Sequence, residues 1–495
     1  MSENKFFLCI DNGLSIGKTA LVDLYGNVNC VVSFKNKVVN KDNYSEVDMN
    51  YLFDQTADAI QELIQKTEVN PAEIIAVGNS GHGGGIYLVD EFGNPLKNAI
   101  TSMDSRAMNL IESWEKERVE YFLKTHTHMW NGQAIPLLYW LKKNDKDNYS
   151  KIHKILFCKD WIKFKLTGAY STDYTDASNA GLISLESKTF DADLYKIFGL
   201  EDLAYKLPKI NRSEEIIGFV TEKAASKTGL KKGTPVIAGA VDFVACLIGS
   251  GLYDESAYSI VSGTWGINSA ICNNLISSDD IMALILFSEE NKFLAMDTSP
   301  TSAVNLEWFL SEVLEKINCN NLNRKQLYKK IDDEIIKIKP QESSIYYFPF
   351  IFKSKLSKKM EGAFFGFNAS HNLYDLLYSI YEGVVFSHLM HINNLKKGDI
   401  YLNKAILSGG AANSSLWCQL FSDILNMKII TTKTSEVGLL GLAIYQSTGL
   451  NLYKNLKESI ENMVKIKSIY EPDKEKNNIY KIRFKNFEKI KKLFD

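Results

Sequence analysis

The sequence predicts an α/β protein built of two domains, and three observations predict it. The chain has 495 residues, more than a single hydrophobic core serves. Short apolar runs of strand length, bounded by glycines, alternate with longer stretches of helical spacing. The second half also repeats the plan of the first. Each opens on a strand, a turn of small residues and a second strand, at residues 6–22 and 259–271.

Composition narrows the function classes. Hydrophobic content of 45% and charged content of 23% are those of a globular protein in water. A net charge of −2 argues against a nucleic-acid partner, which selects a basic surface. The seven cysteines (9, 30, 158, 246, 272, 319 and 418) are scattered, with no C-x-x-C pair. They read as free thiols of a reducing compartment, not as a disulfide framework or a zinc site. The five-residue apolar run after Met-Ser-Glu-Asn-Lys is too short for a signal peptide or a membrane span, so a cytoplasmic protein without a membrane partner is expected.

In order along the chain, Phe6-Phe-Leu-Cys-Ile is a buried-strand pattern, followed by Asp11-Asn-Gly-Leu-Ser-Ile-Gly-Lys18 and a second strand, Thr19-Ala-Leu-Val22. The glycines permit close backbone approach, and Ser15 and Lys18 suit phosphate oxygens; an ordinary hairpin turn would use the same residues. It is not a P-loop, because G-x-x-x-x-G-K-[ST] is absent and a strand follows. Residues 49–66 are helical, with Leu52, Ala57, Ile60 and Leu63 near one face. Ile74-Ile-Ala-Val runs into the glycine-rich turn Gly78-Asn-Ser-Gly-His-Gly-Gly-Gly85, where His82 either bonds a polar ligand or faces solvent. Asp104 and Arg106 precede a helix, as ligand groups or as a cap and an ion pair. Residues 108–170 read as mainly helical, with Trp114, Trp130, Trp140 and Trp161 in the core. Thr172-Asp-Tyr-Thr-Asp-Ala-Ser-Asn reads as a polar loop near a cleft or a solvated connection, and residues 189–232 as an irregular insertion.

The strand Pro235-Val-Ile-Ala-Gly ends at Asp242, ahead of the helical residues 243–249. Free N–H groups and the macrodipole favour an ionised carboxylate at a helix N-terminus. Facing a cleft, it can accept a proton from a substrate hydroxyl; otherwise it is a plain cap. Ser259-Ile-Val-Ser-Gly-Thr-Trp-Gly266 is strand, tight turn, strand, and its hydroxyls and N–H groups suit a phosphate. The lysine-rich residues 353–359 read as a solvated face. Ala405-Ile-Leu-Ser-Gly-Gly-Ala-Ala-Asn-Ser-Ser-Leu-Trp417 is strand, Gly-Gly turn and capped helix. Glu436-Val-Gly-Leu-Leu-Gly-Leu-Ala-Ile-Tyr445 is a small-residue helix suited to close packing. The tail from 474 is an amphipathic helix carrying Ile479, Ile482, Phe487, Ile490 and Leu493, with its basic residues in solvent. Two phosphate-sized turns, a glycine platform and an aspartate between them meet the needs of phosphoryl transfer, where the protein mostly positions groups and supplies electrostatics.

On these residues the chain resembles the FGGY carbohydrate kinases of the actin-like ATPase superfamily. Residues 11–18 resemble the first phosphate motif, Ser262-Gly-Thr-Trp-Gly the second, and residues 408–419 the adenosine motif. Gly362-Ala-Phe-Phe-Gly-Phe with Asp375-Leu-Leu-Tyr-Ser-Ile-Tyr-Glu-Gly383 resembles the C-terminal signature, and Gly239-Ala-Val-Asp the segment of the catalytic base. The resemblance implies two ribonuclease H-like domains, 1–252 and 253–495, with a catalytic cleft between them. It implies Asp242 as base and Asp11 as the Mg2+ carboxylate. It implies Asn12, Gly13, Ser15, Lys18, Gly263, Thr264, Gly409, Gly410, Ala411 and Asn413 around ATP, and Ser80, Gly81, His82, Asp104 and Arg106 around the sugar. Leu137-Leu-Tyr-Trp-Leu has leucine where the family usually shows lysine, and His82 stands where many pentulose kinases have glutamine; both bear on the sugar. Residues 76–90 and 94–107 look most like the L-xylulose branch, which implies phosphorylation of that ketopentose at its terminal hydroxyl, and a homodimer. D-xylulose, L-ribulose and erythritol are the alternative acceptors, and a nucleotide-switch ATPase of the same fold is the rival from another class.

Overall fold

The computed structural model describes residues 5–289, 291–315, 323–357 and 359–495. Met1, Cys319 and Lys358, on which expectations were placed, lie outside the described residues. The other six cysteines are free thiols.

Two seven-stranded sheets organise the chain, and they share one plan. In the first, Phe6–Asn12, Ile16–Asp23 and Val28–Lys35 form an antiparallel meander, with Ile74–Gly81 and Pro235–Ile237 added in parallel on the other side of Phe6–Asn12. In the second, Tyr258–Ser262, Gly266–Cys272 and Phe293–Ser299 form the meander, and Lys404–Ser408 and Lys428–Thr432 the parallel side. The repeated strand–turn–strand openings are therefore the same element in each half. Each half is thus an α/β unit built on the same strand plan.

Helix Met49–Thr67 buries Leu52, Ala57, Ile60 and Leu63 against the first sheet, as their spacing requires. Helix Val437–Gly449 follows the second sheet in sequence yet packs on strands Phe6–Asn12 and Ile74–Gly81 of the first and on helix Asp242–Gly249. It carries an apolar seam that joins the two sheets, with Phe7, Cys9, Ala76 and Ile237 from one and Ile285, Leu294 and Ile406 from the other.

Several expectations are corrected. Residues 189–232 are not merely irregular: Ile216–Phe219 is the edge strand of the first sheet, and Glu222–Thr228 is a helix packed on Met49–Thr67. A four-residue strand interrupted by Gly218 gave no periodicity to read. Trp114 and Trp161 are core residues, whereas Trp130 and Trp140 are half-buried. In the C-terminal helix Lys474–Phe494, Ile482 and Leu493 face solvent. Arg483 is buried instead, pairing through Nε and Nη2 with Glu382 at 2.5 and 2.6 Å. Lys355, on the loop read as solvated, ion-pairs with the buried Asp297.

Candidate active site

The site lies where strand ends of the first sheet converge. Asp11 pairs in register with Ser80 on one side and with Lys18 on the other. Ala240–Val241 pairs in parallel with Ser80 and Gly81. Gly239 makes this possible: at φ +70° it steps the chain sideways against Asn79, whose carbonyl oxygen lies 1.9 Å from where a Cβ would stand. Asp11, Ser80, His82 and Asp242 are thus carried on three adjacent strand ends, the usual ligand edge of such a sheet.

Asp242 is the first residue of its helix, and its Oδ1 accepts the Phe243 N–H at 2.7 Å. The expectation of a carboxylate held ionised is corrected here. Burial, then the facing charge of Asp11, outweigh that hydrogen bond and push Asp242 up to about 8. Asp11 is raised by burial as well, although its Oδ1 accepts the Ser80 hydroxyl at 2.8 Å and Lys18 opposes the shift. Lys18 in turn ion-pairs at 2.7 Å with Glu436, just ahead of helix Val437–Gly449, so this contact bridges the two halves beside Asp11.

His82 is buried, its N–H donating to the Asn12 carbonyl at 3.0 Å. Its Nε2 lies 3.0 Å from the Tyr87 hydroxyl, and burial pushes the ring down to about 4, so it is neutral. Gly81 is hemmed by Cys158 and Lys159, and the ring of Trp130 covers Gly84. Asn12 is wholly buried with its amide donating to Thr56 at 3.1 Å, which turns its side chain into the fold. Asp104 and Arg106 lie beside strand Tyr44–Val47, where Asp104 accepts the Ser45 N–H at 2.8 Å. They form a buried bidentate pair at 2.8 and 2.7 Å, and Arg106 also reaches Glu46 at 2.7 Å and stacks on Tyr44.

On the second sheet, Val261 pairs in parallel with Ser408, which sets the two turns side by side. Gly409, at φ +86°, lies against the Ser262 carbonyl, only 2.5 Å from where a Cβ would stand. Ser15, Thr264, Gly409, Gly410 and Asn413 are exposed, Gly13 and Gly263 half-buried and Ala411 buried. The Ser414 hydroxyl caps helix Ser415–Leu425 and donates to Asp332 at 2.7 Å, tying the Gly-Gly turn down.

Sequence reasoning missed the support beneath Asp242. Residues 172–176 are not a solvated loop: Thr172, Asp173, Thr175 and Asp176 are all buried. Lys159 reaches Asp160, Asp173 and Asp176 at 2.6, 2.9 and 3.2 Å, and Lys163 reaches Asp160 at 3.0 Å. Asp173 accepts from the Thr175 hydroxyl, whose oxygen accepts the Val241 N–H at 3.1 Å. The only signal was two lysines four apart, at 159 and 163, on a face that apolar neighbours mark as inward.

Residues 6–249 match the N-terminal domain, and 258–450 the C-terminal domain, of the FGGY family of carbohydrate kinases. A probable L-xylulose kinase of Haemophilus influenzae is 31% identical over 490 residues, 98% of each chain. An L-xylulose/3-keto-L-gulonate kinase of Escherichia coli is 28% identical, over 90% of this chain and 88% of its own. The crystal structure of gluconate kinase from Lactobacillus acidophilus superposes with a TM-score of 0.89 at 22% identity, covering 99% of this chain and 98% of that one. The chain belongs to the FGGY family of carbohydrate kinases, phosphotransferases that act on a sugar hydroxyl.

Proposed function

We propose that this kinase transfers the γ-phosphate of ATP to the terminal hydroxyl of a ketopentose, with L-xylulose as the acceptor. The observation that carries the reading is Asp242, a half-buried carboxyl at a strand end beside Asp11 with its proton affinity raised to about 8. Asp242 takes the proton of the sugar hydroxyl, the freed oxygen attacks the γ-phosphorus, and the bond from that phosphorus to the bridging β–γ oxygen breaks, releasing ADP. Residues 1–252 hold the sugar and the base, and residues 253–495 the nucleotide. Gly13, Ser15, Lys18, Gly263 and Thr264 face the phosphates; Gly409, Gly410, Ala411 and Asn413 face adenosine. A Cβ at Gly263 would meet nothing within 4 Å, so the turn leaves open space that a phosphate can occupy.

The residues around Asp11 fit Mg2+. The Asp11 charge adds to burial in raising Asp242, and Lys18 already shares its charge with Glu436, which leaves the site short of positive charge. Asp11 would hold the ion, which when bound offsets the phosphate charge.

L-xylulose is supported by the names of the Haemophilus influenzae and Escherichia coli relatives. Arg106 favours an uncharged sugar over a sugar acid, because Asp104 and Glu46 already match its charge. No described helix is long and apolar enough to cross a membrane; a cytoplasmic homodimer is the setting this reading assumes.

Coupled ADP release against L-xylulose, D-xylulose, L-ribulose, 3-keto-L-gulonate and erythritol tests the substrate, with L-xylulose expected to give the highest kcat/KM. Asp242→Asn is expected to lower kcat by roughly 10²–10⁴-fold while MgATP binding by isothermal titration stays near wild type. ATP turnover without any phosphorylated sugar would replace the kinase reading with a nucleotide switch.

A further inference from the structure

The long helix Leu373–Lys397 carries two buried histidines, His388 and His391, three residues apart on the face turned toward the second sheet. Neither belongs to the phosphate turns, the adenosine motif or the residues 362–383 signature. Each stands at the centre of a hydrogen-bonded chain. His391 Nδ1 lies 2.7 Å from Asp297, and its Nε2 lies 2.8 Å from Ser299. His388 Nδ1 lies 2.8 Å from Asn268 Oδ1, and its Nε2 lies 2.8 Å from the Ser302 hydroxyl, which is 3.0 Å from the Ser262 hydroxyl. Asn268, His388, Ser302 and Ser262 are all fully buried.

The direction of every proton in the second chain follows from its ends. Asn268 Nδ2 donates to the Asp297 carbonyl, so its Oδ1 is the acceptor facing His388, and Nδ1 of the ring carries the hydrogen. Burial and the neighbouring His391 push His388 down to about 3, so the ring is neutral and Nε2 is a lone-pair acceptor. Ser302 must then donate to His388, and its oxygen receives the Ser262 hydroxyl. Ser262 therefore spends its proton inward and has none to offer a phosphate.

Ser262 is also the first residue of the second phosphate turn. It pairs with Gly266 across the turn, and its carbonyl supports Gly409 of the adenosine motif. The His388 ring reaches the other end of the same turn, where a Cβ on Gly266 would lie 3.4 Å from its Cε1. A core of this size could be filled more simply by apolar groups, which need no partners. Here a chain of committed donors ends on one nucleotide turn and touches the next.

We propose that His388 and Ser302 are positioning residues for nucleotide binding, holding Ser262 so that the Gly263–Thr264 turn and the Gly409 turn keep the spacing that ATP requires. The inference rests on the kinase reading for the role of those turns. It makes the neutral imidazole a fixed strut that touches no substrate atom.

The test compares Ser302→Ala, His388→Leu and His388→Gln with the wild type. Isothermal titration with MgADP, KM for MgATP and for the sugar, and the melting temperature are read for each. Removing one buried partner strands another, so MgADP affinity is expected to fall about tenfold in Ser302→Ala and His388→Leu. KM for MgATP should rise in parallel, with the sugar KM within about twofold of wild type. His388→Gln, which restores an acceptor opposite Ser302, is expected to recover most of the loss. Unchanged MgADP affinity in both Ser302→Ala and His388→Leu would overturn the proposal. So would equal losses for sugar and nucleotide that track a lower melting temperature in all three variants, since that pattern belongs to core packing alone. The MgADP titration needs no sugar. A wild type that binds MgADP but phosphorylates no sugar would sink the kinase reading and leave the proposal to be decided by the variants.

Discussion

Two influences oppose each other on the Asp242 carboxyl. A donated N–H favours the ionised form, while burial and the facing Asp11 favour the protonated one and prevail, near 8. Only the carboxylate can take a proton, so the active fraction falls about tenfold for each pH unit below that value. The predicted consequence is that kcat/KM for the sugar, at low free Mg2+, rises with pH through a midpoint near 8. Because a cation at Asp11 would cancel the opposing charge, raising free Mg2+ should move the midpoint to lower pH. A profile flat from about pH 6 to 9 at low free Mg2+ would remove Asp242 as the base. Its place at a strand end and a helix start was legible, because an aspartate between a strand and a small-residue helix is a local pattern. Its proton affinity was not, since that depends on Asp11, which lies more than two hundred positions earlier and comes near only when the strands pair.

The element that holds this strand end in place is helix Cys158–Thr167. Its Lys159 lies at the centre of three buried carboxylates, and through Asp173 and Thr175 the group reaches the Val241 backbone. Removing one member of a buried charge group strands the others, at a cost of about 3–5 kcal/mol. Lys159→Met is therefore expected to destabilise the protein by that amount in urea denaturation, far more than loss of the exposed Lys66–Glu62 pair. A loss under about 1 kcal/mol would mean that water, not Lys159, balances these aspartates. The contrast in legibility is instructive. The strand–turn–strand openings could be read because short apolar runs and glycine turns are written locally. Residues 172–176 looked like a loop because hydroxyls and carboxylates favour turns wherever their partners are unknown, and the partner here is a lysine on another element. Ser302 and His388 were silent for the same reason.

The two halves of the sequence meet at a closely packed seam. Helices Asp242–Gly249 and Val437–Gly449 cross so closely that a Cβ on Gly441 would lie 1.9 Å from the Ala245 carbonyl, and one on Gly249 1.8 Å from the Val437 carbonyl. Gln446, from the same second helix, donates to the Leu8 carbonyl at 3.2 Å under the first sheet. Away from the seam, residues 126–128 pair with the edge of the second sheet, the His128 N–H donating to the Met282 carbonyl at 3.0 Å and the Leu284 N–H to the His126 carbonyl at 2.9 Å. The Lys18–Glu436 pair adds a third contact between the two halves of the sequence. Of these three, the backbone-to-backbone glycine contact has the least room to adjust, because carbonyl groups inside helices cannot rotate aside as a lysine can. It is therefore the expected pivot. Gly441→Ala inserts one methyl at this close crossing, and overpacking of this kind costs about 1–3 kcal/mol. Since Gly438, one turn earlier, borders Asp11, the displacement should also reach the site. The expected outcome is a loss of that size in urea denaturation, with kcat and the sugar KM altered together, as a perturbed hinge produces. Wild-type stability and kinetics in Gly441→Ala would show that the helices separate freely, and would move the pivot to the strand pairing at residues 126–128.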